Sequence, residues 1–236
     1  MFLRLRLFII AVIPAVIILL GIYLSDRRDR EPLKVLLFTY ILGALTVIPS
    51  IIVEEILIAF NIFPGILGSL FNAFIVAGLT EEYFKRLAVL KYPYKTKFFD
   101  EKLDGIVYSV FVTMGFATVE NIIYVAYRYT NNPFIGLYRG IFSVPAHAVF
   151  GVTMGYYLSL AKFDTDIDRK RKNMKRSLYM PVIMHGMFDF ILMAEIPHLT
   201  IIFIPYVIFL WILNQRRLAS FMYDSRSKIM SFRKEE

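Results

Sequence analysis

No cysteine occurs in the 236 residues. That excludes a disulfide framework, a cysteine-ligated zinc site and a thiol nucleophile, while saying nothing about compartment. Charge is scarce as well: 19% of the residues are charged, against about 25% in a soluble domain. Several catalytic patterns are also missing: the His-Glu-x-x-His helix of zinc peptidases, the Gly-x-Ser-x-Gly elbow of serine hydrolases, and Asp residues paired across two helices, as an intramembrane aspartyl dyad needs. What fills the chain instead is apolar. The hydrophobic share is 58% and the mean hydropathy +0.59, which is a bilayer composition. It excludes a disordered chain, a disulfide-stapled module and an ordinary cytosolic enzyme. A span takes about 20 apolar residues, so the length holds about six to eight spans with short loops and no separate soluble domain of normal size.

The pattern predicts an all-α polytopic bundle of about seven transmembrane helices forming one domain over 1–236, with a core at about 26–215 and a tail at 216–236. The expected spans are Leu7–Leu24, Leu33–Val53, Leu70–Leu90, Gly105–Ala126, Leu137–Ala161, Leu178–Ala194 and Leu199–Leu213. The first follows Arg4 and Arg6 as a secretory signal would, but no small-x-small cleavage site ends it, so it reads as a retained span. Tyr92, Tyr94, Tyr127 and Tyr129 suit interfacial belts. Internal repeats and low-complexity segments are absent.

Basic residues orient the bundle. With the N-terminus outside, 23 of the 27 Lys and Arg fall in inside segments, leaving Arg4, Arg6, Arg128 and Arg139 outside. That asymmetry predicts N-out, C-in and accounts for the net charge of +8 without nucleic acid. The cluster Arg169-Lys170-Arg171-Lys172 then reads as a topology determinant that meets anionic lipid. Gly136-x-x-x-Gly140 and Gly151-x-x-x-Gly155 read as close helix packing.

The informative residues are the ionisable ones inside spans: Glu81, Glu82, Glu120, His147, His185 and Asp189. A charged side chain at mid-bilayer costs about 2.5–3.5 kcal/mol on insertion scales, so such groups face protein or a wet cavity. At about 1.5 Å per residue, Glu81 lies ~15 Å from the inner surface and His185 ~13 Å, while Glu120 and His147 lie ~12 Å from the outer one. In a core about 30 Å thick all four reach the middle. Local spacing adds partners. Glu81 with Lys85, Glu82 with Arg86, and His185 with Asp189 are each i,i+4. Asp189 is placed to hold one imidazole nitrogen of His185 and leave the other for chemistry. Asn121, beside Glu120, is either an oxyanion donor or polar helix glue. Together these groups supply a carboxylate base for water and imidazoles for a tetrahedral oxygen. The same acids also suit proton or cation relay in a transporter, but neither broken helices nor inverted repeats accompany them.

Three ordered motifs sharpen this. Glu81-Glu82-Tyr83-Phe84-Lys85 resembles the Glu-Glu-x-x-Lys motif of the PrsW family of bacterial membrane proteases, Phe116 to Glu120 its Phe-x-x-x-Glu motif, and His185 to Asp189 its His-x-x-x-Asp motif. Asp26 to Pro32, Phe99-Asp100-Glu101 with Asp104 to Tyr108, and His147 to Gly151 also fit. The resemblance runs from about residue 10 to residue 215 and shows no departure in the motifs. A non-catalytic scaffold of the same fold would be expected to have lost one of them. The resemblance implies a multi-pass protein of the bacterial cell membrane. It would make the first cut, on the extracytoplasmic side, in a single-span substrate such as an anti-sigma factor. The family is similar to the type II CAAX prenyl proteases, within a superfamily of glutamate-dependent intramembrane proteases. Carried onto this chain, Glu81 would be the base, Glu82, Glu120, His147 and His185 would line the site, and Asp189 would orient His185, with Lys85 and Asn121 in support. The family has been classed with metallopeptidases, and zinc on Glu82, Glu120, His147 and His185 is the alternative. Against zinc stand ligands scattered over different helices and the Lys85 cation among them. No cofactor is therefore expected.

Overall fold

The computed structural model describes residues 2–25, 30–125 and 133–235. Asp26-Arg27-Arg28-Asp29, Ala126, Tyr127, Arg128 and Tyr129 lie outside them. Regular structure among the described residues is helical throughout. Seven helices follow one another: α1 Phe2–Ser25, α2 Leu33–Ala59, α3 over 65–91, α4 Lys102–Ile123, α5 over 133–163, α6 Ile167–Met193 and α7 Pro197–Glu235. Each expected span falls on one of them. The largest differences in bounds are at α7, which runs on through the expected tail to Glu235, and at α6, which begins at Ile167, while α2 continues past Val53 to Ala59 and so carries Glu54 and Glu55 within its last turns. Among the described residues four stretches are long and apolar enough to cross a bilayer by length and composition alone: Leu33–Ala59, Lys102–Ile123, Arg139–Phe163 and Pro197–Asp224. α3 and α6 are less apolar because they bear charges: Glu81, Glu82, Lys85 and Arg86 in one, a basic first half with Asp189 in the other.

α4 is the axis of the bundle. Every residue from Leu103 to Thr118 is buried, which is why that helix is apolar all round rather than on one stripe. The close approach of α4 and α5 depends on small residues. A Cβ on Gly155 would meet the Gly105 carbonyl, with Ile106 Cα at 2.6 Å. The Gly151-x-x-x-Gly155 face is therefore a packing face, as its spacing predicts. α2 and α7 are peripheral and turn Ile48, Ile52, Ile56, Ile201, Ile208 and Trp211 outward, which suits contact with lipid tails.

The buried end of α4 needs its backbone donors satisfied. Asp104 Oδ2 accepts from the Asp100 and Glu101 amides at 2.9 and 2.7 Å, completing a capping box with Glu101. One turn on, the Tyr108 hydroxyl donates to Glu31, at the entry to α2. Phe99-Asp100-Glu101 and Asp104 to Tyr108 thus serve the architecture: they start the central helix and fasten α2 to it.

The α4–α5 contact gives a test. Gly155→Ala should lower the unfolding temperature in detergent, by the equivalent of about 1–3 kcal/mol of overpacking. Gly21→Ala, where a Cβ meets nothing within 4 Å, should leave it unchanged. Equal behaviour of the two variants would show that the close approach is not needed.

Candidate active site

The site begins with an irregular helix. In α3 a π-helical stretch, Asn72–Leu79, precedes the α-helical Thr80–Lys91. Such wide turns rotate the face that follows them and recur at functional sites. At its end, Gly78 lets α3 touch the α6 backbone: a Cβ there would lie 3.2 Å from the Gly186 nitrogen and the Val182 oxygen. One turn later Glu82 Oε1 meets His185 Nδ1 at 3.0 Å. α5 is built alike, with π-helical Arg139–Ser143 leading into Val144–Phe163 and His147.

At the centre stands a fully buried cation. The Lys85 ammonium donates to Glu81 Oε2 at 2.9 Å, to Glu82 Oε1 at 2.9 Å and to His147 Nδ1 at 3.1 Å. Those are its three N–H bonds. On another side the Phe116 ring centroid lies 4.0 Å away, a cation–π contact. Because an ammonium only donates, His147 Nδ1 must accept, so the proton of this neutral ring is on Nε2, which donates to Glu120 Oε2 at 2.9 Å. Glu120 is held in turn by Arg139 at 2.9 Å. On the other flank, His185 presents Nδ1 to Glu82 and Nε2 to Asp189 at 3.2 Å, with Glu81 Oε2 at 4.0 Å. Phe150 stacks on its ring, 4.9 Å between centroids. One connected network therefore runs from Arg139 through Glu120, His147, Lys85, Glu81 and Glu82 to His185 and Asp189.

A cavity of about 480 Å³ opens beside this network. Glu81, Glu120, His147, His185 and Asp189 all line it, and so does Arg139. Glu82 does not. Its side chain is wholly buried behind Glu81, on Lys85 and His185. Glu81 uses only Oε2 in the hydrogen bonds above, leaving Oε1 for the cavity. Asn121 resolves as helix glue: its amide donates to the Ala11 carbonyl at 3.0 Å and accepts from Arg139 Nε at 3.1 Å. The expected Glu82–Arg86 pair does not form. Arg86 instead donates to Ser177 Oγ at 2.8 Å and the Met174 carbonyl at 3.0 Å, because α6 lies on that face of α3. Nor does His185 keep a nitrogen clear of protein, since Glu82 takes the one that Asp189 leaves. Arg139 and Glu54, both in the cavity wall, carry no catalytic signal in the sequence: one reads as a loop-end cation and the other as the end of a span.

The four side chains Glu81, Glu82, His147 and His185 offer donor types that zinc accepts, with one ligand atom of each within 4.8 Å of the others. Glu120, expected in that set, is committed to Arg139 and His147 instead. A zinc ion would stand about 2 Å from each ligand, in the space next to which the Lys85 ammonium already bonds three of the four. The Lys85 charge opposes a metal ion in this set, although the donor types suit one.

Carboxylates and imidazoles gathered beside an interior cavity of a helical membrane protein suit an intramembrane hydrolase. The comparisons make that specific. The family model described as PrsW family intramembrane metalloprotease matches residues 31–213. The Protease PrsW of Clostridioides difficile (strain 630) is 41% identical over 224 residues, 94% of each chain. That of Bacillus subtilis (strain 168) is 35% identical over 204 residues, 86% of this chain and 90% of its own. That of Oceanobacillus iheyensis is 37% identical over 207 residues, 87% and 91%. No solved structure matches. The chain belongs to the PrsW family of intramembrane proteases.

The buried cation predicts a stability effect. Lys85→Met should destabilise the protein by about 3–5 kcal/mol, because it strands two buried carboxylates. Adding Glu82→Gln should restore part of that loss. A double variant no more stable than Lys85→Met alone would mean that the ammonium is not what holds the two acids.

Proposed function

We propose that this protein cuts a single-span membrane protein, such as an anti-sigma factor, with water activated by Glu81 and without a metal. The observation that carries the reading is the division of labour in the Glu pair: Glu81 reaches the cavity, and Glu82 is behind it. Glu81 Oε1 takes a proton from a water in the cavity as its oxygen attacks the scissile carbonyl carbon. The carbonyl π pair moves onto oxygen and gives a tetrahedral oxyanion. His185 Nε2–H lies at the cavity wall and makes the longest of the four imidazole hydrogen bonds, 3.2 Å to Asp189, so it turns from Asp189 to donate to this oxyanion. When the intermediate collapses, the C–N bond breaks, its electron pair leaves on nitrogen, and Glu81 returns the proton to that nitrogen. Lys85, Glu82 and Glu120 position the reacting groups.

The cavity also supports a cut on the extracytoplasmic side. Beyond the site residues its wall includes Glu55 and Ile58 near the end of α2, Asn72 near the start of α3, Tyr124 just past α4, Ser143 in α5, and Leu192 and Met193 at the end of α6. In an alternating bundle those helix ends share one side with the N-terminus. The distribution of basic residues supports an extracytoplasmic position for that side.

Purified protein reconstituted with candidate single-span substrates tests the mechanism. Glu81→Gln keeps the size and hydrogen bonding of the side chain but not the base, so cleavage should fall by about 10²–10⁴-fold with unfolding unchanged. Cleavage near the wild-type rate would move the base to another carboxylate. Asp189→Asn should cost less than His185→Ala, since it loosens the ring rather than removing it. Topology has its own check: reporters fused after Lys97 and after Lys172 should both read cytoplasmic, and opposite readings would break the proposed orientation.

A further inference from the structure

Among the described residues the network leaves two acids of the cavity wall unanswered, the exposed Glu55 and the half-buried Glu54. Glu81 is paired with Lys85, Glu120 with Arg139 and His147, and Asp189 with His185. Glu54 forms no ion pair or hydrogen bond among the described residues, and its Oε1 is shut off from solvent without a partner. It lies within electrostatic reach of Glu81, Glu120, Lys85 and His185, but the cations nearby are already engaged. Lys85 has spent its three N–H bonds, and Arg139 is bound to Glu120 and Asn121.

The setting makes this carboxylate costly. Val47, Ile51, Glu54 and Ile58 fall on one face of α2 and line the cavity together, with Glu55 beside them. An acid thus interrupts an apolar stripe on a helix whose opposite face is exposed and apolar. A buried polar atom without a partner costs about 1–3 kcal/mol, and more when charged. A neutral side chain would avoid that cost. The missing partner is a cation, and the cavity is where a substrate lies.

We propose that Glu54 is a specificity-determining residue that receives a lysine or arginine side chain of the substrate. That side chain belongs to the stretch of substrate running from the scissile bond toward the mouth of the cavity, and Glu55 adds to the negative potential that draws it in. The inference rests on the proteolytic reading above and names the substrate class: a single-span protein with a basic residue on the extracytoplasmic side of its cleavage site.

The test uses full-length protein in vesicles and synthetic single-span peptides carrying Lys, Gln or Glu at successive positions on that side. Binding is measured on the Glu81→Gln protein, and kcat and KM on the wild type. At one position the Lys peptide should bind at least about tenfold more tightly than the Gln peptide. Placing Glu54→Gln in the same background should abolish the difference, and Glu54→Lys should reverse it in favour of the Glu peptide. In the cleavage assay the effect should appear in KM with kcat nearly unchanged. Equal binding of the three peptides, no binding of any, or a Lys preference that survives Glu54→Gln would overturn the assignment. A Glu54-dependent preference without cleavage would uphold it while defeating the proteolytic mechanism. Cleavage without preference would do the opposite.

Discussion

A buried ammonium determines the arrangement of this protein's interior. Lys85 sits where no water reaches, and its charge has to be answered by protein. Two carboxylates from its own helix and an imidazole from α5 do that, with an aromatic face from α4 closing a further side. Each of those partners is then constrained in turn. His147 must accept at Nδ1, so it donates to Glu120. Glu82 is drawn inward onto Lys85 and His185, which leaves Glu81 as the member of the pair at the cavity. One fixed charge thus sets the tautomer of one histidine and the different surroundings of two adjacent acids.

Much of this was legible in the sequence, for simple reasons. The rise of a helix and the positions of loop charges are enough to bring Glu81, Glu120, His147 and His185 to one depth, and the structure places all four on one cavity. Seven spans follow from the same arithmetic, and the Gly151–Gly155 face from residue size. What was not legible depends on rotation and neighbours. Which Glu of the pair faces the cavity depends on how α3 is turned against Lys85's other partners and His185, and hydropathy reports neither that rotation nor the π-helical stretch before Thr80. Arg86 has a plausible partner four residues away, but α6 supplies Ser177 and the Met174 carbonyl at better positions. Arg139 looks like an interfacial cation until the π turn at 139–143 brings it against Glu120. Glu54 reads as the end of a span because nothing in composition shows that α2 continues to Ala59.

Hydrolysis inside a membrane needs polar groups and water in a place that excludes both. The structure meets that demand by making the polar groups answer one another. Acids, imidazoles and cations form a single network, so few charges are presented to the bilayer, and the apolar faces of α2 and α7 surround it. Glu81 and His185 line the cavity, where the proposed mechanism puts the peptide bond, while Glu82, Lys85 and Asn121 are not in its wall. The architecture beneath is held by other means: close glycine contacts between α4 and α5, and the Asp104 cap with the Tyr108–Glu31 bond at the head of α4.

In the proposed mechanism no metal takes part, and the Lys85 ammonium is the fixed positive charge beside the two acids. Elemental analysis of active, chelator-treated protein, run beside its cleavage assay, decides between that mechanism and a metal-dependent one. Unchanged cleavage with far less than one equivalent of any transition metal is expected. Stoichiometric zinc, with cleavage lost on its removal and regained on its return, would contradict it.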